Sequence, residues 1–280
     1  MIETMKKKTY EIFKGIIVLL IVIIDAYPIF WLLTSAMKAP TEFTSSPSYA
    51  LPKGFYFQNF VNAWTRGHMG RYFLNSLLYT VISLFFIVLI AVPVSFALTK
   101  MRWKGRSFFA NYFLTGLMVP VATALLPLFR IYGNMGILNT RLCLILTYVA
   151  FGLSLSIFLM SGYMRSLSDE ILEASVIDGC GIFSMMWYIV VPLMKNGIVT
   201  VLVLQFFYKW NDLLFSMTFI SDSKLKTIQT GLLYFTNEFG TKDWGSIFAS
   251  IAISVLPMLV IYLVLNRTVV EGMTSGAVKG

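Results

Sequence analysis

The stretch EASVIDGCGIFSMMWYIVVPL, from Glu173 to Leu193, decides how this chain is read. Long apolar runs lie on either side of it, yet Asp169, Glu170, Glu173 and Asp178 fall within ten residues. Ser168 is placed to cap a short helix, and Asp169 and Glu170 suit that helix's positive end. The pattern stops at Asp178-Gly179, where glycine permits the left-handed backbone of a helix end. Beyond Gly181, the residues Phe183, Met186, Trp187 and Val190 recur at the spacing of one helical face, an apolar seat, and Pro192 closes the second helix. The segment 166–196 therefore reads as a helix-turn-helix. An interfacial helix on the inner leaflet would carry Lys and Arg, because the lipid is anionic. The acids point instead to a protein partner.

The surrounding composition places this segment beside a membrane. The chain has 280 residues, 58% hydrophobic and 12% charged, against about a quarter charged in soluble domains. Lipid has to be the solvent for most of it. Six segments approach the ~20 apolar residues a spanning helix needs: 16–35, 72–99, 108–132, 142–163, 198–220 and 247–266. The fifth is interrupted by Lys209, Asn211 and Asp212. The net charge of +9 is not a nucleic-acid signature, because the basic residues flank apolar runs. Lys6, Lys7, Lys8 and Lys14 precede the first span, and Lys100, Arg102, Lys104 and Arg106 crowd the second loop. Positive residues mark cytoplasmic flanks, so both termini and the acidic segment are expected inside, and the long first loop 36–71 and the stretch 221–246 outside. The N-terminal run is too long, and its flank too bulky, for a cleaved signal peptide. No repeat or linker divides the chain, which reads as one all-α polytopic membrane domain over 1–280. Pro28, Pro93, Pro120, Pro127 and Pro257 fall within spans, as kinks or as ordinary features of membrane helices.

Several chemistries are excluded. The one histidine, His68, rules out bis-histidine haem and a His-Glu-x-x-His zinc site within the chain. Cys143 and Cys180 have no neighbouring ligands and are expected as free thiols, with no metal bound. There is no Gly-x-Ser-x-Gly elbow with a usable base and no phosphate loop, so the chain is not expected to hydrolyse nucleotides itself. Asp25, mid-way along the first span, is a site candidate by default; the competing expectation is that it packs inside the bundle against a partner helix. Lys209 and Asp212 lie one helical turn apart, with Trp210 and Asn211 between them. They read either as the polar lining of a translocation path or as a self-neutralised pair near the interface.

The Glu173 segment resembles the EAA loop of ABC importer permeases. Glu173, Ala174, Asp178, Gly179 and Pro192 match that pattern, while Ser175 and Cys180 stand for alanines, Val191 for leucine and Asn196 for a common proline. The tail VEGMTSGAVKG is similar to the end of carbohydrate permeases akin to the maltose transporter's shorter permease subunit. FFYKWNDLLFSMTFI resembles that group's Trp-Asn-Glu-Phe region, with Asp212 for glutamate, and YPIFWLLTSAMK its first span. The resemblance covers essentially the whole chain. It implies a subunit of an ATP-driven importer of sugar, an oligosaccharide by expectation, in the bacterial cytoplasmic membrane. It implies as partners a second homologous permease, two ATP-binding cassette subunits that use ATP and magnesium, an extracellular sugar-binding protein and membrane lipid. This chain itself would bind no cofactor. Glu173, Ala174, Ser175, Asp178, Gly179 and Gly181 would dock on the ATPase. The tail, 267–280, would add contacts from Gly276, Ala277, Val278, Lys279 and Gly280. The stretch 221–246 would meet the binding protein, and Trp210, Asn211, Asp212 and Asp25 remain as path-lining candidates. An ion-coupled secondary transporter is the alternative; it leaves the Glu173 segment and the tail unexplained.

Overall fold

The computed structural model describes the backbone of residues 2–239 and 243–277, and the side chains of 10–233 and 243–265. The described residues are helical, without strands. Four helices are long and apolar enough to cross a bilayer: α1 (Ile2–Ala36, apolar over Tyr10–Ala36), α4 (Met69–Thr99), α7 (Arg141–Arg165) and α14 (Trp244–Ala277, apolar over Trp244–Leu265). Short helices α2 (Glu42–Ser45) and α3 (Gln58–Thr65) separate α1 from α4.

The third expected span is two helices. α5 (Arg106–Gly116) and α6 (Val121–Asn134) meet at 100°. Pro120, with ψ 132, takes the extended conformation at the N-cap of α6 and ends any continuous helix there. Pro127 is accommodated inside α6.

The fifth expected span also differs. After α8 (Asp169–Ile177) the chain runs through α9 (Ile182–Met185), a π-helical turn Met186–Val190 and α10 (Val191–Leu193) into α11 (Lys195–Trp210), with a bend of 74° between Ile182–Leu193 and Lys195–Trp210. Helix α11 stops at Trp210, and 214–219 forms a separate α12 (Leu214–Phe219), followed by α13 (Ile228–Phe239). A span running unbroken from 198 to 220 does not form. If each bent pair counts as one crossing, the chain has six.

Cα packing divides the chain into two compact units, Met1–Met69 with Leu232–Val255, and Gly70–Gly231 with Leu256–Gly280. In the first unit, the loop after α1 is tied down by polar groups. Asn59, fully buried, donates its amide to the carbonyls of Ala36 and Lys38. The Glu42 carboxylate accepts from the backbone N–H of Lys53 and of Ala39, and those bonds hold its carboxyl below the usual range. Trp31, Phe43 and Trp244 pack around Phe248.

The second unit holds two apolar cores. One joins Ala91, Val92 and Phe96 of α4 and Ile157, Met160 and Met164 of α7 to Leu172 of α8, Met185, Met186, Val190 and Val201. The other gathers Tyr79, Tyr132, Leu144, Tyr148, Phe215 and Phe219.

Candidate functional site

The acidic segment forms on its own local signals. The Ser168 hydroxyl accepts the Glu170 N–H at 3.2 Å and caps α8, with Asp169 and Glu170 in its first turn. Gly179 adopts φ 82, the left-handed value that L side chains resist. A Cβ placed there would meet nothing within 4 Å.

Burial sorts the segment into a face that anchors and a face that is free. Leu172 and Ser175 of α8 are buried, and the Ser175 hydroxyl donates to the Leu172 carbonyl at 2.6 Å. Ser175 is therefore an anchoring residue, not a contact for a partner. Glu173, Ala174, Asp178, Gly179 and Gly181 are exposed. So are Val176, Ile177, Phe183, Trp187 and Tyr188, with Ile177 at 85% and Phe183 at 77%. The expected seat of Phe183, Met186, Trp187 and Val190 is half right. Met186 and Val190 are buried together with Met185, whereas Phe183 and Trp187 point outward. The π-helical turn Met186–Val190 alters the register there, so that Val190 joins Met185 and Met186, while Phe183 lies before it in α9, on the side away from buried Met185. Pro192, which has no N–H for the carbonyl four residues back, stands in the first turn of α10, where that N–H is not needed. Exposed apolar residues and the exposed carboxylates of Glu173 and Asp178 thus share this segment.

The loop after α4 braces this region. Lys100 Nζ donates at 2.6 Å to the Leu167 carbonyl and at 2.6 Å to the Asp169 carboxylate. That contact holds the Asp169 carboxyl below the usual carboxylate range. Arg106 donates to the carbonyls of Leu98 and Thr99, and the Trp103 indole N–H to that of Ala97, closing the end of α4. Sequence reasoning counted Lys100 and Arg106 only as topological charge.

The second candidate region lies at the break between α11 and α12. Asp212 does not take Lys209 as its close partner. Its carboxylate accepts the Tyr148 hydroxyl at 2.8 Å and the N–H groups of Phe215 and Ser216, capping α12. Lys209, buried, sits 5.8 Å above the Tyr148 ring. Tyr148 thus carries both charges, one on its face and one at its hydroxyl. Trp210 is fully buried, its ring against Phe206 and Phe73, and has no surface to offer a path. Asn211 is exposed, with the Gln229 amide 3.5 Å from its carbonyl. Asp25 is exposed, on a span whose 18-residue apolar window has no buried residue, so this chain does not pack around it.

After α12 the chain is pinned by side chains from α4 and from the turn before α7. Asn139, at φ 58, accepts the N–H groups of Ser221 and Asp222. Asn75 donates to the carbonyls of Lys224 and Lys226, Tyr79 to that of Leu225, and Ser76 accepts the Ile228 N–H. Gly276 and Ala277 end α14 in backbone only, and Val278, Lys279 and Gly280 lie outside the described residues.

Residues 67–275 match the family described as binding-protein-dependent transport system inner membrane component. The chain is 35% identical over 255 residues to the probable ABC transporter permease protein YurM of Bacillus subtilis, covering 91% of this chain and 84% of that one. It is 33% identical to the diacetylchitobiose uptake system permease protein NgcG of Streptomyces coelicolor, covering 92% and 85%. To the melibiose/raffinose/stachyose import permease protein MelC of Bacillus subtilis it is 30% identical, covering 90% and 91%. Its fold is similar to a chain in the crystal structure of a bacterial ABC transporter involved in the import of the acidic polysaccharide alginate, with a TM-score of 0.83 and 20% identity, covering 94% and 97%.

Proposed function

The chain belongs to the family of binding-protein-dependent transport system inner membrane components, and from that premise we propose that it is one permease of an ATP-driven sugar importer in the bacterial cytoplasmic membrane. Relatives that take up diacetylchitobiose or import melibiose, raffinose and stachyose favour an oligosaccharide. A second permease completes the path, two ATPase subunits supply energy with ATP and magnesium, and an extracellular binding protein delivers the sugar. Both termini face the cytoplasm, as the basic flanks require.

The observation that carries the reading is the split of the segment 166–196 into an anchored face and a free one. Leu172, Ser175, Met185, Met186 and Val190 are built into the unit that contains α4, α7 and α11. The free face offers Glu173 for a charge-assisted bond to a basic ATPase residue, and the open turn at Gly179 for close approach. Closure of the ATPases against this face displaces the helices beneath it. Gly276, Ala277, Val278, Lys279 and Gly280 form a second contact with the ATPases. The stretch 221–246 meets the binding protein, and Asn211 is the residue best placed to meet sugar hydroxyls.

The test is reconstitution of the complete transporter. Glu173→Lys is expected to abolish uptake and weaken ATPase association while the protein stays in the membrane. Normal association and uptake would sink the coupling role. Uptake that survives ATP depletion but collapses with the ion gradient would sink the importer itself.

A further inference from the structure

The apolar seat beneath α8 and the π-helical turn is rich in methionine: Met160, Met164, Met185, Met186 and Met194. Methionine is unbranched and adapts its shape, so such a seat yields under load. A soft seat alone transmits a push poorly. Among the described residues, the directed polar link from the start of α8 toward a long helix is Lys100, the residue that follows α4. Its ammonium joins the Leu167 carbonyl and the Asp169 carboxylate at the very start of α8, both at 2.6 Å. The lysine side chain is only 8% exposed, while Asp169 is 76% exposed. Lysine is seldom buried to this extent unless paired, and ordering its long chain costs rotamer entropy. The end of α4 that carries it is itself braced by Arg106 and Trp103.

We propose that Lys100 is a positioning residue for transport, a strut that fixes the start of α8 to the end of α4 so that α4 moves with the docking helix. Resting on the importer reading, the strut predicts a defect in coupling rather than in assembly. Two contacts make it. The carbonyl bond is charge-assisted and shielded, and the carboxylate bond is open to solvent and weaker. The ranking of variants follows from that difference.

The experiment uses the complete transporter in proteoliposomes and measures sugar taken up per ATP hydrolysed. Lys100→Met keeps length and removes both bonds; the ratio is expected to fall about ten-fold or more, the scale of one lost charge-assisted bond, with ATPase association retained. Lys100→Arg keeps donors for both acceptors and is expected to restore most of the ratio. Asp169→Asn, which leaves the Leu167 bond, is expected to fall in between. An unchanged ratio in Lys100→Met overturns the proposal, as does a proportional fall of uptake and hydrolysis, the signature of fewer working complexes. A second readout does not depend on transport. Spin labels on the exposed positions Lys104 and Glu170 are expected to show a narrow distance distribution in the parent protein and a broad one in Lys100→Met, or in Lys100→Gln should the methionine variant not fold. An unchanged width overturns the strut. A parent complex that takes up no sugar overturns the importer reading and leaves the distance test standing.

Discussion

Asp212 closes the gap between α11 and α12 by accepting three donors: the Tyr148 hydroxyl and the N–H groups of Phe215 and Ser216. A lost helix cap costs ~1 kcal/mol, and a lost buried hydrogen bond about the same. Asp212→Ala removes both and is expected to destabilise the chain by ~2 kcal/mol. Asp212→Asn keeps an acceptor for the cap, and Tyr148→Phe leaves the cap intact; each is expected to cost about half as much. Thermal unfolding of the detergent-solubilised chain checks this, and equal losses in all three would refute the shared role. Gly179 allows a similar separation. Its φ of 82 makes alanine costly by ~1–2 kcal/mol, while the space above it is open. Asparagine tolerates the left-handed backbone but adds a side chain. Gly179→Asn is therefore expected to preserve the end of α8 yet weaken ATPase binding in a pull-down. Full binding by that variant would show that close approach at this turn is unnecessary.

Helix contacts are set by small residues and by breaks, and the two differ in how visible they are from sequence. At Gly152 of α7 an added Cβ would lie 2.4 Å from Ile87 Cδ1 and 3.1 Å from Gln205 Oε1, so α4 and α11 approach α7 as closely as glycine permits. The Gln205 amide also donates to the Gly152 carbonyl and the Ser156 hydroxyl. Gly152→Ala is expected to cost ~1–3 kcal/mol by overpacking, and Ile87→Val to recover part of it; no recovery in the double variant's unfolding midpoint would place the strain elsewhere. Spans α1, α4, α7 and α14 were legible because each is an unbroken apolar run. The break at Pro120 was read as a kink or an ordinary proline inside one span because proline lowers helix continuity without stating an angle. Trp210 was misplaced because periodicity cannot tell a buried aromatic from a lining one. Trp187 was misplaced because a π-helical turn has no 3.6-residue signature, and Phe183 because the buried side of α9 is the one that carries Met185. Lys100 was missed because its partner Asp169 is 69 residues away and no local pattern announces it. The acids and glycines of 166–196 stood out in the sequence because they contrast with their surroundings, and the structure leaves Glu173, Asp178, Gly179 and Gly181 exposed. The strut has its own pH signature. The Asp169 carboxyl is held below its ordinary value, first by the Lys100 hydrogen bond and then by the lysine charge. Its contribution is therefore complete above the ordinary carboxylate range and is lost as pH falls through the lowered value. The Lys104–Glu170 distance distribution is expected to stay constant from neutral pH to about 5 and to broaden only below about 4; broadening near pH 6 would assign the link to another group.

At the scale of the whole molecule the least satisfied element is α1. Its apolar stretch Tyr10–Ala36 has no buried residue in its central window, and Asp25 sits on it without a hydrogen-bond partner among the described residues. Lipid can cover the isoleucines and leucines of that helix, but an acid in hydrocarbon is costly unless protein or water meets it. A partner permease is the protein that the importer reading provides. Sequence alone offered Asp25 as a path-lining candidate or as an acid packed in the bundle against a partner helix, because one chain's sequence says nothing of a helix supplied by another. Asp25→Ala removes the acid that calls for a partner and is expected to weaken co-purification of the second permease while leaving membrane insertion intact. Asp25→Asn keeps hydrogen-bonding capacity and is expected to retain most of that association. If both variants co-purify the second permease as the parent does, Asp25 does not face it and belongs to lipid or water. If alanine alone fails, α1 is covered by the partner, and the four or more spans of this chain form half of a larger bundle.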